Sequence, residues 1–369
     1  MRKTVVSLIS LMGVLLFCAS ADAHDIYVPS DLPLLRRGFD LVYGEQYPEA
    51  EKIFQEYINK HPDRPEGYFF MTGRYAEYMN SFHDRSAMPT FEMWAKRTME
   101  KAEAFNSKYP NDPTGHFYLG NLYGFMGLLD AQQQNLVSAF LNAVKAKTSL
   151  EKTLELDPAV HDAYFGLGSL FFYGSRKHVE EGGMVGWIVK KFITHDRDMR
   201  QEGIAMVQKA VAGGGITADS AFTTLMWLLI IEGRYDEAMP MAVEMSRRWP
   251  KDKHGYWAQG RIQLLRGQCA DAARNFMRIA DIVKQQNLRL DRFPEVEIAL
   301  ELSSLCVESD TASHASREAR FKALSARLAA NPNIQIEYAN SKGVVKDFTA
   351  MLANLEKRQY IQPGNGGIK

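Results

Sequence analysis

A pattern that returns after 34 residues constrains this chain most, because it occurs twice in succession between Asp219 and Gln286. Four positions of the first copy are matched in the second: Phe222 by Tyr256, Gly233 by Gly267, Tyr235 by Cys269 and Ala238 by Ala272. A period of about 20–50 residues is typical of an array of repeated supersecondary units. The pattern predicts that each copy is a helical hairpin.

The same order of large and small residues occurs near the start of the chain. The matching residues are Leu34, Gly38 and Leu41 in a first helix and Tyr47, Ala50, Phe54 and Tyr57 in a second, which Pro62 ends. Small residues where two antiparallel helices cross, with large residues beside them, resemble the tetratricopeptide repeat. The resemblance implies an all-α fold, a right-handed α-solenoid of about six to seven helical hairpins. It also implies a protein-binding scaffold without catalysis.

The resemblance spans about Leu34 to Ala329, and residues 31–329 are predicted to form one solenoid. Its proline stops are widely spaced: Pro62, Pro110 and Pro158 are separated by 48 residues each, 14 more than one repeat. About seven extra residues in each arm of a hairpin would add about two helical turns. Some hairpins, the third at least, are therefore predicted to be longer than their neighbours.

Other segments depart from the repeat. Residues 173–199 are predicted to be inserted between the two helices of the fourth hairpin, because the pattern of its second helix begins only at Gly203. Residues 330–360 are predicted to be a C-terminal cap with one amphipathic helix, and residues 361–369, rich in glycine, a flexible tail. No strand-like alternation persists anywhere in the sequence.

The first 23 residues have the three parts of a secretory signal peptide. Two basic residues precede an apolar run from Val5 to Phe17, and small residues follow up to Ala23, after which we predict cleavage. Residues 24–30 would then be a short extended leader. Lipid attachment at Cys18 is disfavoured, because Phe17 stands where a lipobox requires a small residue. The sequence predicts a periplasmic or secreted protein.

Cleavage would leave two cysteines, Cys269 and Cys306, in an oxidising compartment where disulfides persist. Cys269 follows the turn of the sixth hairpin and Cys306 ends the first helix of the seventh, so both are predicted at the same edge of the array. They are candidates for a disulfide. The alternative is two separate buried thiols, which are common in helix packing.

The charge balance argues against a nucleic-acid partner. Lys plus Arg and Asp plus Glu number 44 each, and neither sign forms a long block. The basic patch that DNA-binding and RNA-binding proteins present is therefore absent from the sequence.

The first helices of a hairpin solenoid line its concave face. Residues one position after the large residue that opens each first helix, and others further along it, are therefore predicted to face this groove. The partner-binding candidates are Phe69, Phe117, Asn121, Phe165, Phe172, Tyr173, Trp227, Trp257 and Arg261. An aromatic groove suits an extended peptide or a glycan. The alternative is that these rings are core, covered by neighbouring helices or by the inserted segment.

The inserted segment contains an apolar stretch, Met184 to Ile193, that is predicted to become a short helix. Trp187 and Phe192 are candidates for contact with a partner. Trp and Phe beside lysines also suit a membrane interface, which is the alternative. The stretch is too short to span a bilayer, so no stable membrane span is predicted.

Motifs for catalysis, metal binding and cofactor binding are missing from the sequence. It contains no His-Glu-x-x-His, P-loop, dinucleotide fingerprint or Gly-x-Ser-x-Gly elbow. We therefore predict no catalytic residue, metal ligand or cofactor. The first functional hypothesis is a non-catalytic scaffold that engages another envelope protein or an extended peptide. The second is a carrier or accessory subunit that binds a glycan, lipid or hydrophobic small molecule in the groove.

Overall fold

The computed structural model of the protein describes residues 25–82, 84–133, 135–181, 183–307, 314–330 and 348–355. The regular elements of these residues are all helical, and they include no strand. The predicted all-α fold is confirmed. The predicted signal peptide, the flexible tail and much of the C-terminal cap lie outside the described residues.

Fourteen of the helices pair into seven consecutive hairpins. The pairs are α1 (Leu32–Tyr43) with α2 (Tyr47–Lys60), α3 (Glu66–Ser81) with α4 (Met88–Lys108), α5 (Thr114–Gln132) with α6 (Leu136–Leu156), α7 (His161–Glu181), followed by α8 (Gly183–Phe192), with α9 (Arg200–Gly213), α10 (Ala218–Ile231) with α11 (Tyr235–Arg248), α12 (Lys253–Leu265) with α13 (Cys269–Gln285), and α14 (Pro294–Val307) with α15 (His314–Ala330). Residues 348–355 form a further helix.

The third hairpin is longer than the regular fifth one, as predicted. α5 and α6 have 19 and 21 residues, whereas α10 and α11 have 14 each. The extra residues amount to about one and a half helical turns in α5 and about two in α6. α7 is also lengthened: it continues through Tyr173 to Glu181, so the predicted insertion begins as an extension of this helix and α8 forms its second part.

Close helix crossings explain the small residues of the repeat. In the fourth hairpin, Gly168 of α7 lies directly against Gly203 of α9. A Cβ atom at Gly203 would lie 2.5 Å from the carbonyl oxygen of Gly168, and a Cβ atom at Gly168 would lie 2.6 Å from that of Gly203. The two backbones can approach this closely only because both residues lack a side chain.

The array turns back on itself, so that the first hairpin contacts the fifth and sixth. The ring of Tyr43, at the end of α1, stacks on that of Trp249 with 4.5 Å between centroids. Its hydroxyl lies 2.7 Å from Oγ of Ser220 in α10, and Nη2 of Arg36 donates to the carbonyl of Gly214 at 3.1 Å. The concave side is therefore closed by the chain itself.

The cysteines of the sixth and seventh hairpins form a disulfide. Cys269 opens α13 and Cys306 lies near the end of α14, with their Cα atoms 5.8 Å apart. This separation lies within the range that disulfide geometry requires. The bond joins two neighbouring hairpins at one edge of the array.

We expect no reactive thiol in a chain that begins at residue 24, denatured without a reductant, because Cys18 is then absent and the other two cysteines are bonded. After reduction the same chain should react with two equivalents of a thiol reagent. The count can be read by mass spectrometry after alkylation. Two alkylated cysteines before reduction would favour two separate buried thiols.

Candidate functional site

The structure places most of the predicted groove residues in the interior. Phe117, Phe172 and Trp227 are fully buried, and Trp257, Arg261 and Phe69 are only 5%, 4% and 7% exposed. The idea of an open aromatic groove formed by these six residues is therefore corrected. Asn121, Phe165 and Tyr173 are partly exposed.

Neighbouring helices cover these aromatic rings. The ring of Phe69 in α3 lies 5.6 Å from that of Phe125 and 5.2 Å from that of Tyr118, both in α5. Trp257 in α12 packs against Phe276 of α13 at 5.3 Å and against Phe348 at 6.3 Å. The aromatic side chains thus fill the space between the two helices of a hairpin and between successive hairpins.

The other polar candidate, Asn121, is engaged in contacts within the fold. Asn121 donates from Nδ2 to the carbonyl oxygen of Phe117, one turn earlier in α5, at 2.9 Å. Its Oδ1 lies 2.9 Å from where a Cβ atom of Gly166 would be, so α7 passes directly over it. This amide therefore serves the contact between α5 and α7 in the closed array.

The inserted helix α8 has one side packed on the fold and two aromatic side chains exposed to solvent. It packs back on the extended end of α7, where a Cβ atom at Gly174 would lie 3.0 Å from Cγ2 of Ile193 and 3.6 Å from Cγ1 of Val189. Its other side faces solvent, with Trp187 59% and Phe192 53% exposed. The predicted contact residues of the insert are therefore accessible.

The exposed side chains of α8 adjoin further apolar residues at the free end of the third hairpin. The ring of Phe192 lies 5.8 Å from that of Phe140 in α6, which joins the two elements. We call this surface the tip patch; it consists of Leu128, Val137, Phe140, Leu141, Trp187 and Phe192. Val137 is 77% exposed and Leu141 54%. Five of the ten large apolar side chains most exposed in the described chain belong to it, whereas the others are scattered, as is common on protein surfaces.

The tip patch rests on a fixed hairpin end. Oδ2 of Asp130, near the end of α5, accepts hydrogen bonds from Oγ of Ser138 at 2.6 Å and from Nδ2 of Asn142 at 2.8 Å, both in α6. These bonds hold the ends of the two helices together. The exposed residues between them are therefore presented in a defined arrangement, which lowers the entropy cost of binding.

Charged residues border the patch on the side of α8. Nζ of Lys191 lies 3.1 Å from Oδ2 of Asp196, and Nζ of Lys190 lies 3.7 Å from its Oδ1. These pairs lower the pKa of the Asp196 carboxyl. The border is thus polar, with two lysines around one carboxylate, as at the polar rim of a protein interface.

The predicted contact residues include none on α6, although part of the tip patch lies there. The signal was present in two adjacent pairs, Leu136-Val137 and Phe140-Leu141. Neighbouring residues of a helix point about 100° apart, so the two members of each pair cannot both pack on one partner helix. Val137 and Leu141 are the members that remain exposed.

Two other kinds of site find no support in the described part of the chain. It contains no group of three or more His, Cys, Asp or Glu side chains placed to hold a metal ion. None of its helices has both the length and the apolar character needed to cross a membrane.

The fold defines a class of protein: an all-α array of helical hairpins. No protein-family model matches the sequence, and no curated protein matches it. Among solved structures, it is similar to a Rap protein complexed with competence and sporulation factor, with 14% identity and a TM-score of 0.32, over 90% of this chain and 100% of that one. A score this low supports no conclusion about function.

Proposed function

We propose that this protein is an exported, non-catalytic scaffold that binds another protein or a peptide of the cell envelope through the tip patch. The observation that carries the proposal is the concentration of exposed apolar side chains on α6 and α8. Large exposed apolar patches, especially those bordered by polar residues, mark interaction sites. A partner of matching chemistry would present an apolar helix face or an extended apolar segment.

Export is supported by the disulfide and by the N-terminal sequence. Disulfides persist in oxidising compartments such as the bacterial periplasm and are rare in the cytosol. The bond between Cys269 and Cys306 fits the secretory signal that the first 23 residues resemble. Both features support the proposal that the protein and its partner lie in the envelope.

The carrier hypothesis has less support. A glycan or lipid in the concave groove would need access to rings such as those of Trp227 and Trp257, which are packed against neighbouring helices. The most exposed of the candidate aromatic side chains, Trp187 and Phe192, lie instead on the insert.

Substitution of Val137 and Leu141 by serine together should weaken partner binding about tenfold or more. This corresponds to about 1.4 kcal/mol of lost apolar contact, a modest loss for two exposed anchors. The stability of the fold should be unchanged, because neither side chain is buried. A photo-crosslinking residue at position 187 in intact cells would measure binding as the yield of the crosslinked complex, with and without the two substitutions.

Val243 and Met277 provide the matched control, because they are 49% and 50% exposed but lie on α11 and α13, away from the patch. Their replacement by serine should leave the yield unchanged. Equal losses in both double variants would argue against a site at the tip patch. A complex that formed from position 165 and not from position 187 would place binding on the concave side.

A further inference from the structure

The turn of the first hairpin contains a residue that breaks the rule of the repeat. Gly233 and Gly267 occupy this turn in the fifth and sixth hairpins, both with φ of 74°. The first hairpin has Glu45 at the corresponding place, two residues before Tyr47, and its φ is 56°. A glutamate in the left-handed region is strained, whereas glycine is not. Such an outlier persists only where its surroundings hold it.

The side chain of Glu45 explains why it is held there. It is 4% exposed, and its carboxylate contacts Nζ of Lys253 and Nε2 of Gln286. These partners are 208 and 241 residues away in the sequence, at the start of α12 and just after α13. The turn of the first hairpin thus reaches into the sixth.

Lys253 breaks a second local rule. It is the first residue of α12, where the helix dipole favours negative charge and disfavours a cation. The first turns of α3, α7 and α10 contain the acidic residues Glu66, Asp162 and Asp219 instead. The side chain of Lys253 is 11% exposed, and its Nζ also lies 5.4 Å from the ring centroid of Phe82. The unfavourable placement of each charge is explained by the other.

A buried ion pair is suited to a contact that can open. Its attraction is offset by the water that both ions lose, so it gives specificity with little net stability compared with apolar packing. On opening, both ions regain water. The contacts beside it include the stacked rings of Tyr43 and Trp249, the hydrogen bond between Tyr43 and Ser220, and that from Arg36 to the carbonyl of Gly214.

We infer that Glu45 and Lys253 form a latch between the first and sixth hairpins, and that its release opens the array. The device lies apart from the tip patch on the third hairpin. It acts on the side of the array that the chain itself closes, so that opening would uncover the face of α1 and the rings of Tyr43 and Trp249.

Hydrogen exchange of the chain that begins at residue 24 tests the latch. In the variant Glu45→Gly, which removes the strain together with the carboxylate, backbone amides of residues 32–43 and 249–265 should exchange at least about fivefold faster. Residues 136–156, in the third hairpin, should keep their protection, which shows that the variant is folded. The radius of gyration from X-ray scattering should rise.

A second variant and a control separate the latch from a local effect. Lys253→Met should reproduce the faster exchange of residues 32–43 and 249–265. The double variant should exchange no faster than either single variant, because both substitutions remove the same contact. Asp236→Asn removes an exposed ion pair with Arg266 between the fifth and sixth hairpins and should change nothing. If Glu45→Gly accelerated exchange only within residues 40–47, or slowed it, Glu45 would be a turn residue and the latch would be refuted.

Discussion

Replacement of Gly203 by alanine is expected to lower the free energy of unfolding by about 3 kcal/mol, at the upper end of the usual cost of overpacking. The added methyl carbon would lie 2.5 Å from the carbonyl oxygen of Gly168, 3.0 Å from the amide nitrogen of Phe172 and 3.1 Å from its Cβ. Two of these three atoms belong to the backbone, so no side chain can rotate away. α7 and α9 would have to separate, and urea denaturation followed by circular dichroism would measure the loss.

Gly124 provides the matched control, because it is also a glycine within a helix but a Cβ atom there would meet nothing within 4 Å. Alanine at this position of α5 should raise the stability by about 0.5–1 kcal/mol, since glycine is a poor helix former. The two identical substitutions are thus expected to have opposite signs. A destabilisation of Gly203→Ala below about 1 kcal/mol would show that the two helices can separate without loss.

The helices and their pairing could be predicted because they depend on local rules. Prolines stop the second helices, glycines open the turns, and small residues mark the crossings, so that α10 to α13 follow directly from the 34-residue pattern. The disulfide was a predictable candidate for the same reason, since the repeat places Cys269 and Cys306 at one edge of adjacent hairpins. Each of these features concerns residues that are neighbours in the sequence or in successive repeats.

The closed concave side could not be predicted in the same way. It depends on how much each hairpin rotates relative to the previous one, and small rotations accumulate along the array until Tyr43 meets Trp249. The 34-residue pattern records which residues cross within a hairpin but not this angle. The predicted groove residues were correctly placed on the first helices, yet Phe117 and Trp227 became core because successive hairpins pack closely on them.

Buried carboxyl groups lie in the first turn of several helices, and they make the free energy of unfolding depend on pH. Glu66 in α3, Asp162 in α7 and Glu295 in α14 are almost completely buried, and burial raises the pKa of each. Arg64 opposes this shift at Glu66, and the Thr217 hydroxyl and amide oppose it at Asp162. At Glu295 burial raises the pKa from 4.5 to about 8.

The direction of the effect follows from proton binding. Between pH 4.5 and about 8 the folded protein keeps the proton on Glu295 while the unfolded chain has released it. The unfolding free energy therefore decreases as pH rises through this interval, by up to about 1.4 kcal/mol per pH unit. The contribution of Glu295 is fully present below pH 4.5 and is lost above pH 8 or so, on the order of 5 kcal/mol in all.

Glu295→Gln should remove this contribution, because glutamine has nearly the same shape and stays neutral. Urea denaturation from pH 5 to pH 9 is expected to show the variant gaining stability relative to the wild type as pH rises, with the difference constant above the pKa of Glu295. Glu237→Gln is the control: Glu237 is exposed, and Arg234 lowers its pKa, so its loss should not alter the slope in this range. If the pH slope of the wild type persisted unchanged in Glu295→Gln, the proton released on unfolding would come from Glu66 or Asp162 instead.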